Sequence, residues 1–184
     1  MLTADLLEAS NLEDLQLLRE HILRHISPED DPEKIMYHPA PNLTKFKDES
    51  FIQKSIDSLQ IPVTAPSWKR NWIIKDQGKI IANLELKASD LQSALHRANL
   101  GIGIEKNYRG IGLGKTMMKT ALIWAKEQNL TWIDLNVLTH NMPARKLYLS
   151  FGFKDIGTVK DCFRVEGQSI DDTHMVLELK NYSV

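Results

Sequence analysis

Residues 100–115 read Leu-Gly-Ile-Gly-Ile-Glu-Lys-Asn-Tyr-Arg-Gly-Ile-Gly-Leu-Gly-Lys, and their reading decides the fold. The first half alternates, with Leu100, Ile102 and Ile104 on one strand face and Gly101, Gly103 and Glu105 on the other. Two glycines on one face leave the backbone bare, so another body can approach it. The second half, Arg109-Gly110-Ile111-Gly112-Leu113-Gly114, runs into a helix patterned by Leu113, Met117, Ala121 and Ala125, with Met118 and Leu122 alongside. Glycines ahead of a helix uncover backbone N–H groups where the helix dipole is positive, a setting that favours phosphate.

Three phosphate-loop patterns compete here. A nucleotide P-loop needs glycine at position 109, which is Arg109, although Gly114-Lys115-Thr116 supplies its end. A G-x-G-x-x-G fingerprint begun at Gly110 or Gly112 ends on Lys115 or Met117. The pattern R/Q-x-x-G-x-G/A fits at Arg109, Gly112 and Gly114. On this pattern the stretch resembles the pyrophosphate loop of the GNAT N-acetyltransferase superfamily, which binds acetyl-CoA.

The second half of the chain extends the resemblance. Asn141 precedes Pro143, a helix cap with proline in the first turn. Ala144, Leu147, Tyr148 and Phe151 then form an apolar face. Seven residues separate Asn141 from Tyr148, which puts them on nearly one side of the helix, about 10 Å apart along its axis. Asn141-x-x-Ala144-x-x-Leu147-Tyr148-x-x-x-Gly152-Phe153 is similar to the second motif of the same family. The clear match covers 72–179, and 1–66 fits in its helical character.

Length and composition agree with one domain over 1–184. A net charge of −1 gives no basic field for nucleic acid or an anionic membrane. No apolar run reaches membrane-spanning length, and no signal peptide pattern opens the chain. Cys162 is the only cysteine, so no intrachain disulfide forms and a cytoplasmic location is expected. The six histidines show no metal-ligand spacing beyond His21 and His25, read as surface or half-buried residues. No metal is expected.

In chain order, residues 2–9 make a short strand or lead-in. Ser10 and Glu13 form a capping box for a helix with Leu12, Leu15, Leu18, Ile22 and Ile26 inward. The proline-rich, acidic stretch 27–42 is a loop, and Thr44 caps a second helix carrying Phe46 or Phe51, Ile52, Ile56 and Leu59. Asp76-Gln77-Gly78 turns a hairpin between strands at 72–74 and 80–86. Another strand spans 132–138, and strands at 153–165 and 169–179 turn at 166–168. Helices first, then alternating strands and helices, define an α/β class with a mixed central sheet flanked by helices. The resemblance implies that this sheet is twisted, with central strands that splay.

The resemblance also implies a function: direct transfer of the acetyl group of acetyl-CoA to a primary amine of an amino acid, peptide or other small molecule. Ile102, Gly103 and Ile104 would line the pantetheine, with the Ile104 amide facing the thioester oxygen. Gly110, Gly112, Leu113, Gly114 and Lys115 would hold the pyrophosphate with Arg109 beside it, and Asn141 would bond the pantetheine. Tyr148 would be the general acid and Glu105 the base, with Glu85 in reserve. Asp171 and Asp172 read as solvated acids at a strand edge, with contact to a cationic substrate as the alternative, and Trp68 and Trp72 as core or rim residues, with the wall of an acceptor pocket as theirs. An exposed terminal hairpin offers an edge for a homodimer. The alternative is a non-catalytic acyl-CoA-binding sensor or interaction module on the same fold.

Overall fold

The computed structural model describes residues 2–8, 10–26, 50–165 and 167–182. The proline-rich stretch with Thr44 and Phe46 lies outside these residues. Seven strands form one mixed sheet in the order β1-β2-β3-β4-β5-β7-β6. They are β1 (Asp5–Leu6), β2 (Lys69–Asp76), β3 (Lys79–Ala88), β4 (Arg97–Ile104), β5 (Trp132–Leu138), β6 (Lys154–Val165) and β7 (Gln168–Glu178). The longer helices among the described residues are α1 (Leu12–Ile26), α2 (Ser50–Gln60), α3 (Leu113–Glu127) and α4 (Met142–Ser150). All strand pairs are antiparallel except β4–β5.

The turn expected at Gln77-Gly78 forms, with positive φ at both residues (47° and 75°). That geometry matches the right-handed twist of the flanking strands. The register follows, with Asp76 opposite Lys79. One sheet face carries Trp72, Ile74, Leu84, Leu86 and Leu100, packed against Met117, Ala121 and Leu122 of α3. The i, i+4 spacing in α3 therefore works as read, and each buried Leu or Met in it contributes about 1.5–3 kcal/mol. On the other face Leu15 and Leu18 of α1 and Leu59 of α2 pack on Ile73 and Ile80.

Two expectations near α1 need correction. The cap is Asn11, not Ser10: its Oδ1 accepts from the Asp14 amide at 3.1 Å while its amide donates to the Asp14 carboxylate at 2.9 Å. The box thus sits one residue later than Ser10 and Glu13. The inward stripe also shifts, because Leu12 is 53% exposed while His21 is fully buried. Trp68 and Trp72 are core residues, each set edge-on to Trp124.

Candidate active site

β4 pairs with β3 along its length, from Ala98 opposite Ala88 to Ile104 opposite Ala82. It pairs with β5 only at Arg97, Ala98 and Asn99. Beyond Asn99 the two parallel strands diverge, and a cleft of about 820 Å³ opens between them. The amide of Glu105 donates to the Ile81 carbonyl at 3.0 Å. Alternate residues in an antiparallel ladder turn their polar groups to the same edge. Gly101, Gly103 and Glu105 therefore serve β3, while the amides of Ile102 and Ile104 face the gap that β5 has left. The Ile104 carbonyl faces it too, and accepts from Arg109 Nε at 3.0 Å.

That bond ties the glycine loop to the end of β4. Gly110 and Gly112 have φ of 79° and 94°, a conformation that side chains other than glycine's disfavour, and nothing lies within 4 Å of where their Cβ atoms would stand. Gly112 caps α3 without a side-chain bond. Gly114 is glycine for another reason. A Cβ there would meet Leu147 Cδ2 at 3.0 Å and Ile104 Cδ1 at 3.3 Å, so the start of α3 lies hard against α4 and β4.

Gly110, Gly112, Gly114, Arg109 and Lys115 line one end of the cleft, and Ile102, Gly103 and Ile104 line its wall. The Leu113 side chain instead belongs to the core. Asn141 caps α4 by accepting from the Ala144 amide at 3.2 Å, and it also lines the cleft. Tyr148 lines the cleft while only 5% exposed. Burial pushes its phenol well above the ordinary tyrosine pKa. Among the described residues nothing hydrogen-bonds its hydroxyl.

The two bare glycines differ. Above Gly103 stand Asn83 Oδ1, 3.0 Å from an ideal Cβ, and the His25 ring, with Cδ2 at 3.3 Å and Nε2 at 3.4 Å. Above Gly101 nothing lies within 4 Å. The body admitted at Gly103 is thus the protein's own first helix, and the open space is over Gly101.

Glu105 does not line the cleft. Its Oε1 takes His21 Nδ1 at 3.2 Å and Arg24 Nε at 3.0 Å. An ionised carboxylate only accepts, so the neutral His21 ring carries its proton on Nδ1. Its Nε2 is then a buried acceptor with no hydrogen-bond partner. Burial holds this imidazole below its ordinary pKa, opposed by the Glu105 bond. Glu85, opposite Gly101 across the ladder, does line the cleft, and its carboxylate is 3.7 Å from Lys69 Nζ.

Reading the sequence missed the far wall. Asp172 is 5% exposed and accepts from Asn136 Nδ2 at 2.5 Å, so it is no solvated edge acid. Asp171 is held by Lys160 and the Asp161 amide. The signal for Asn136 was its place in β5, where it alternates with buried Leu135 and Val137. His21 could have been found as well, since Asp14, Leu18, His21 and His25 recur at helical spacing. The half-buried Cys162 has its thiol pKa pushed up by burial and by Asp172, which marks no nucleophile. Among the described residues no three metal-ligating side chains gather, and no helix is long and apolar enough to cross a membrane.

A model of the acetyltransferase (GNAT) family matches residues 32–153, and the chain belongs to that family. The L-amino acid N-acetyltransferase AaaT of Escherichia coli is 24% identical over 53% of this chain and 61% of its own. Across three relatives the aligned stretch is 32%, 44% and 61% of the relative's length. What those proteins do as wholes therefore bears on this chain only as a proposal. Among solved structures, a GNAT acetyltransferase from Streptococcus pneumoniae superposes with a TM-score of 0.78 at 22% identity, covering 97% of this chain and 99% of that one. The structure of yncA from Salmonella typhimurium with acetyl-CoA gives 0.76 at 11% identity, covering 99% and 97%. These likenesses show that the fold is that of the family, as the resemblance implied.

Proposed function

We propose that residues 1–184 act as one N-acetyltransferase domain, transferring acetyl from acetyl-CoA directly to a primary amine of an amino acid, peptide or other small molecule. One observation carries the reading. β4 leaves β5 after Asn99, so the Ile102 and Ile104 amides face a cleft that ends at the bare amides of a glycine loop. A diphosphate fits the loop, where Gly110, Gly112 and Gly114 stand at a helix start beside Arg109 and Lys115. The Leu113 amide belongs to the same turn. An amide-bearing pantetheine arm fits alongside Ile102, Gly103 and Ile104 as an added strand would. Asn141 keeps its amide nitrogen for that arm while its oxygen caps α4.

Acetyl-CoA supplies an activated acetyl group when bound. The chain's own part is threefold. The Ile104 amide is aimed at negative charge gathering on a carbonyl oxygen in the gap. Tyr148, kept protonated by burial, is the acid for a departing thiolate. The Glu105 side of the cleft handles the proton that an ammonium acceptor must lose, with Glu85 in reserve. Because Glu105 is engaged by His21 and Arg24 and does not line the cleft, it acts on that proton through its neighbours and not by direct contact. A cytoplasmic setting goes with this reading, and the exposed β6 edge is where a homodimer would form.

The test is an acceptor screen with purified protein and acetyl-CoA, following free thiol. Thiol release with at least one amine supports the reading. Tight CoA binding with no thiol release from any amine would leave the non-catalytic acyl-CoA-binding module in its place.

A further inference from the structure

Glu105, His21 and His25 run in a file from the end of β4 to the cleft. Glu105 Oε1 meets His21 Nδ1 at 3.2 Å. The His21 and His25 rings then stack with centroids 5.9 Å apart and planes 18° from parallel. The Nε2 edge of His25 overlies Gly103 inside the cleft, next to the open space above Gly101. An amine approaching the wall of β4 through that space arrives beside an imidazole. It does not arrive beside the Glu105 carboxylate.

From this arrangement we infer that His25 is the group that takes the proton from the acceptor ammonium, and that Glu105 and His21 are its positioning residues. The inference rests on the acetyl-transfer reading. In the step, one N–H bond of the ammonium breaks and leaves its electron pair on nitrogen. The proton bonds to His25 Nε2 and passes to water after turnover. Tyr148 gives its own proton to the departing sulfur and recovers one from the acetylated nitrogen.

The state of His21 is what lets His25 serve. A stacked pair of imidazolium rings would repel, and burial holds His21 neutral. Burial outweighs the pull of Glu105, which accepts a hydrogen bond from the Nδ1–H of the neutral ring and by itself favours the charged form. Glu85 of β3 lines the same cleft as His25, and Glu105, held by Arg24, stands behind its wall.

The experiment compares wild type with His25→Ala, using spermidine, lysine and an alanine-terminated peptide as acceptors. Free thiol is followed against pH, and CoA affinity is measured by calorimetry. For an acceptor the wild type accepts, His25→Ala should lose roughly a hundredfold in kcat/KM at pH 7 with CoA affinity kept, and added imidazole should restore part of the rate. Unchanged turnover, or a folded variant that imidazole does not rescue, overturns the inference while leaving acetyl transfer intact. If His25→Ala does not fold, His25→Gln, which keeps the bulk and polarity of the side chain, takes its place: the same loss with CoA affinity kept supports the inference, and unchanged turnover refutes it. A wild type that binds CoA but acetylates none of the three acceptors overturns the inference together with the acetyl-transfer reading.

Discussion

His21 Nδ1 lies 3.2 Å from Glu105 Oε1, joining the first helix to the end of β4 across 84 positions of sequence. Together with Arg24, which reaches both Glu105 and the Ile80 carbonyl, it pins α1 over the cleft wall. The pin has a pH dependence. The folded pKa of His21 is depressed by burial, so its stabilising effect is complete above the unfolded value of 6.5. It is lost as pH falls below 6.5, because the unfolded chain then binds a proton that the folded one refuses. His21→Gln should flatten the acid side of the stability profile by up to about 1.4 kcal/mol per pH unit below that point. Chemical denaturation of both proteins at pH 7.5 and 5.5 measures this. A parallel loss in the two would contradict it.

Tyr148→Phe keeps the ring against Phe153 and removes only the hydroxyl. Turnover should fall by about 10²–10³ with CoA affinity unchanged. Because burial raises the phenol's pKa, its acid form persists past the ordinary tyrosine value. The wild-type kcat should therefore show no alkaline loss from this group up to about pH 10. Steady-state rates and calorimetry check both statements.

The two glycines on the cleft face of β4 should respond in opposite ways. At Gly101 a methyl meets nothing within 4 Å, so Gly101→Ala should fold with stability unchanged or raised by up to about 1 kcal/mol and lose acceptor turnover. At Gly103 a methyl would press on Asn83 Oδ1 at 3.0 Å and His25 Cδ2 at 3.3 Å. Gly103→Ala should cost roughly 1–3 kcal/mol as those side chains are displaced. Thermal melts and rates of the pair read out the contrast.

In the glycine loop, Gly112→Ala forces a side chain into φ of 94° at the cap of α3. The cost should be about 1–2 kcal/mol of stability and a weaker CoA complex. Lys115→Ala should weaken CoA with little effect on folding, since Lys115 is an exposed residue at the cleft end. Calorimetric titration with CoA separates the two.

The sheet was legible from local rules. The Gln77-Gly78 turn, the alternation through 100–104 and the i, i+4 pattern of α3 each depend on neighbours in sequence. Asn11 displaced Ser10 as the cap because both residues can cap, and only the first buried contact decides where a helix begins. His21 escaped because a polar ring on an inward stripe reads as an exception until its partner is known, and Glu105 is 84 positions away. Asp172 was misread for the same reason: the Asn136 that shelters it belongs to another strand. Glycines 101 and 103 looked equivalent in sequence, and only the path of α1 over one of them makes them differ.

Acetyl-CoA binding at this site needs the loop amides between Arg109 and Lys115 and the gap beside Ile102 and Ile104. A crystal structure of the protein with CoA tests both at once. It should show the diphosphate within hydrogen-bonding distance of the Gly110, Gly112 and Gly114 amides, with the pantetheine arm bonded along Ile102–Ile104. CoA seated elsewhere, or a loop that stays closed at saturating CoA, would contradict it.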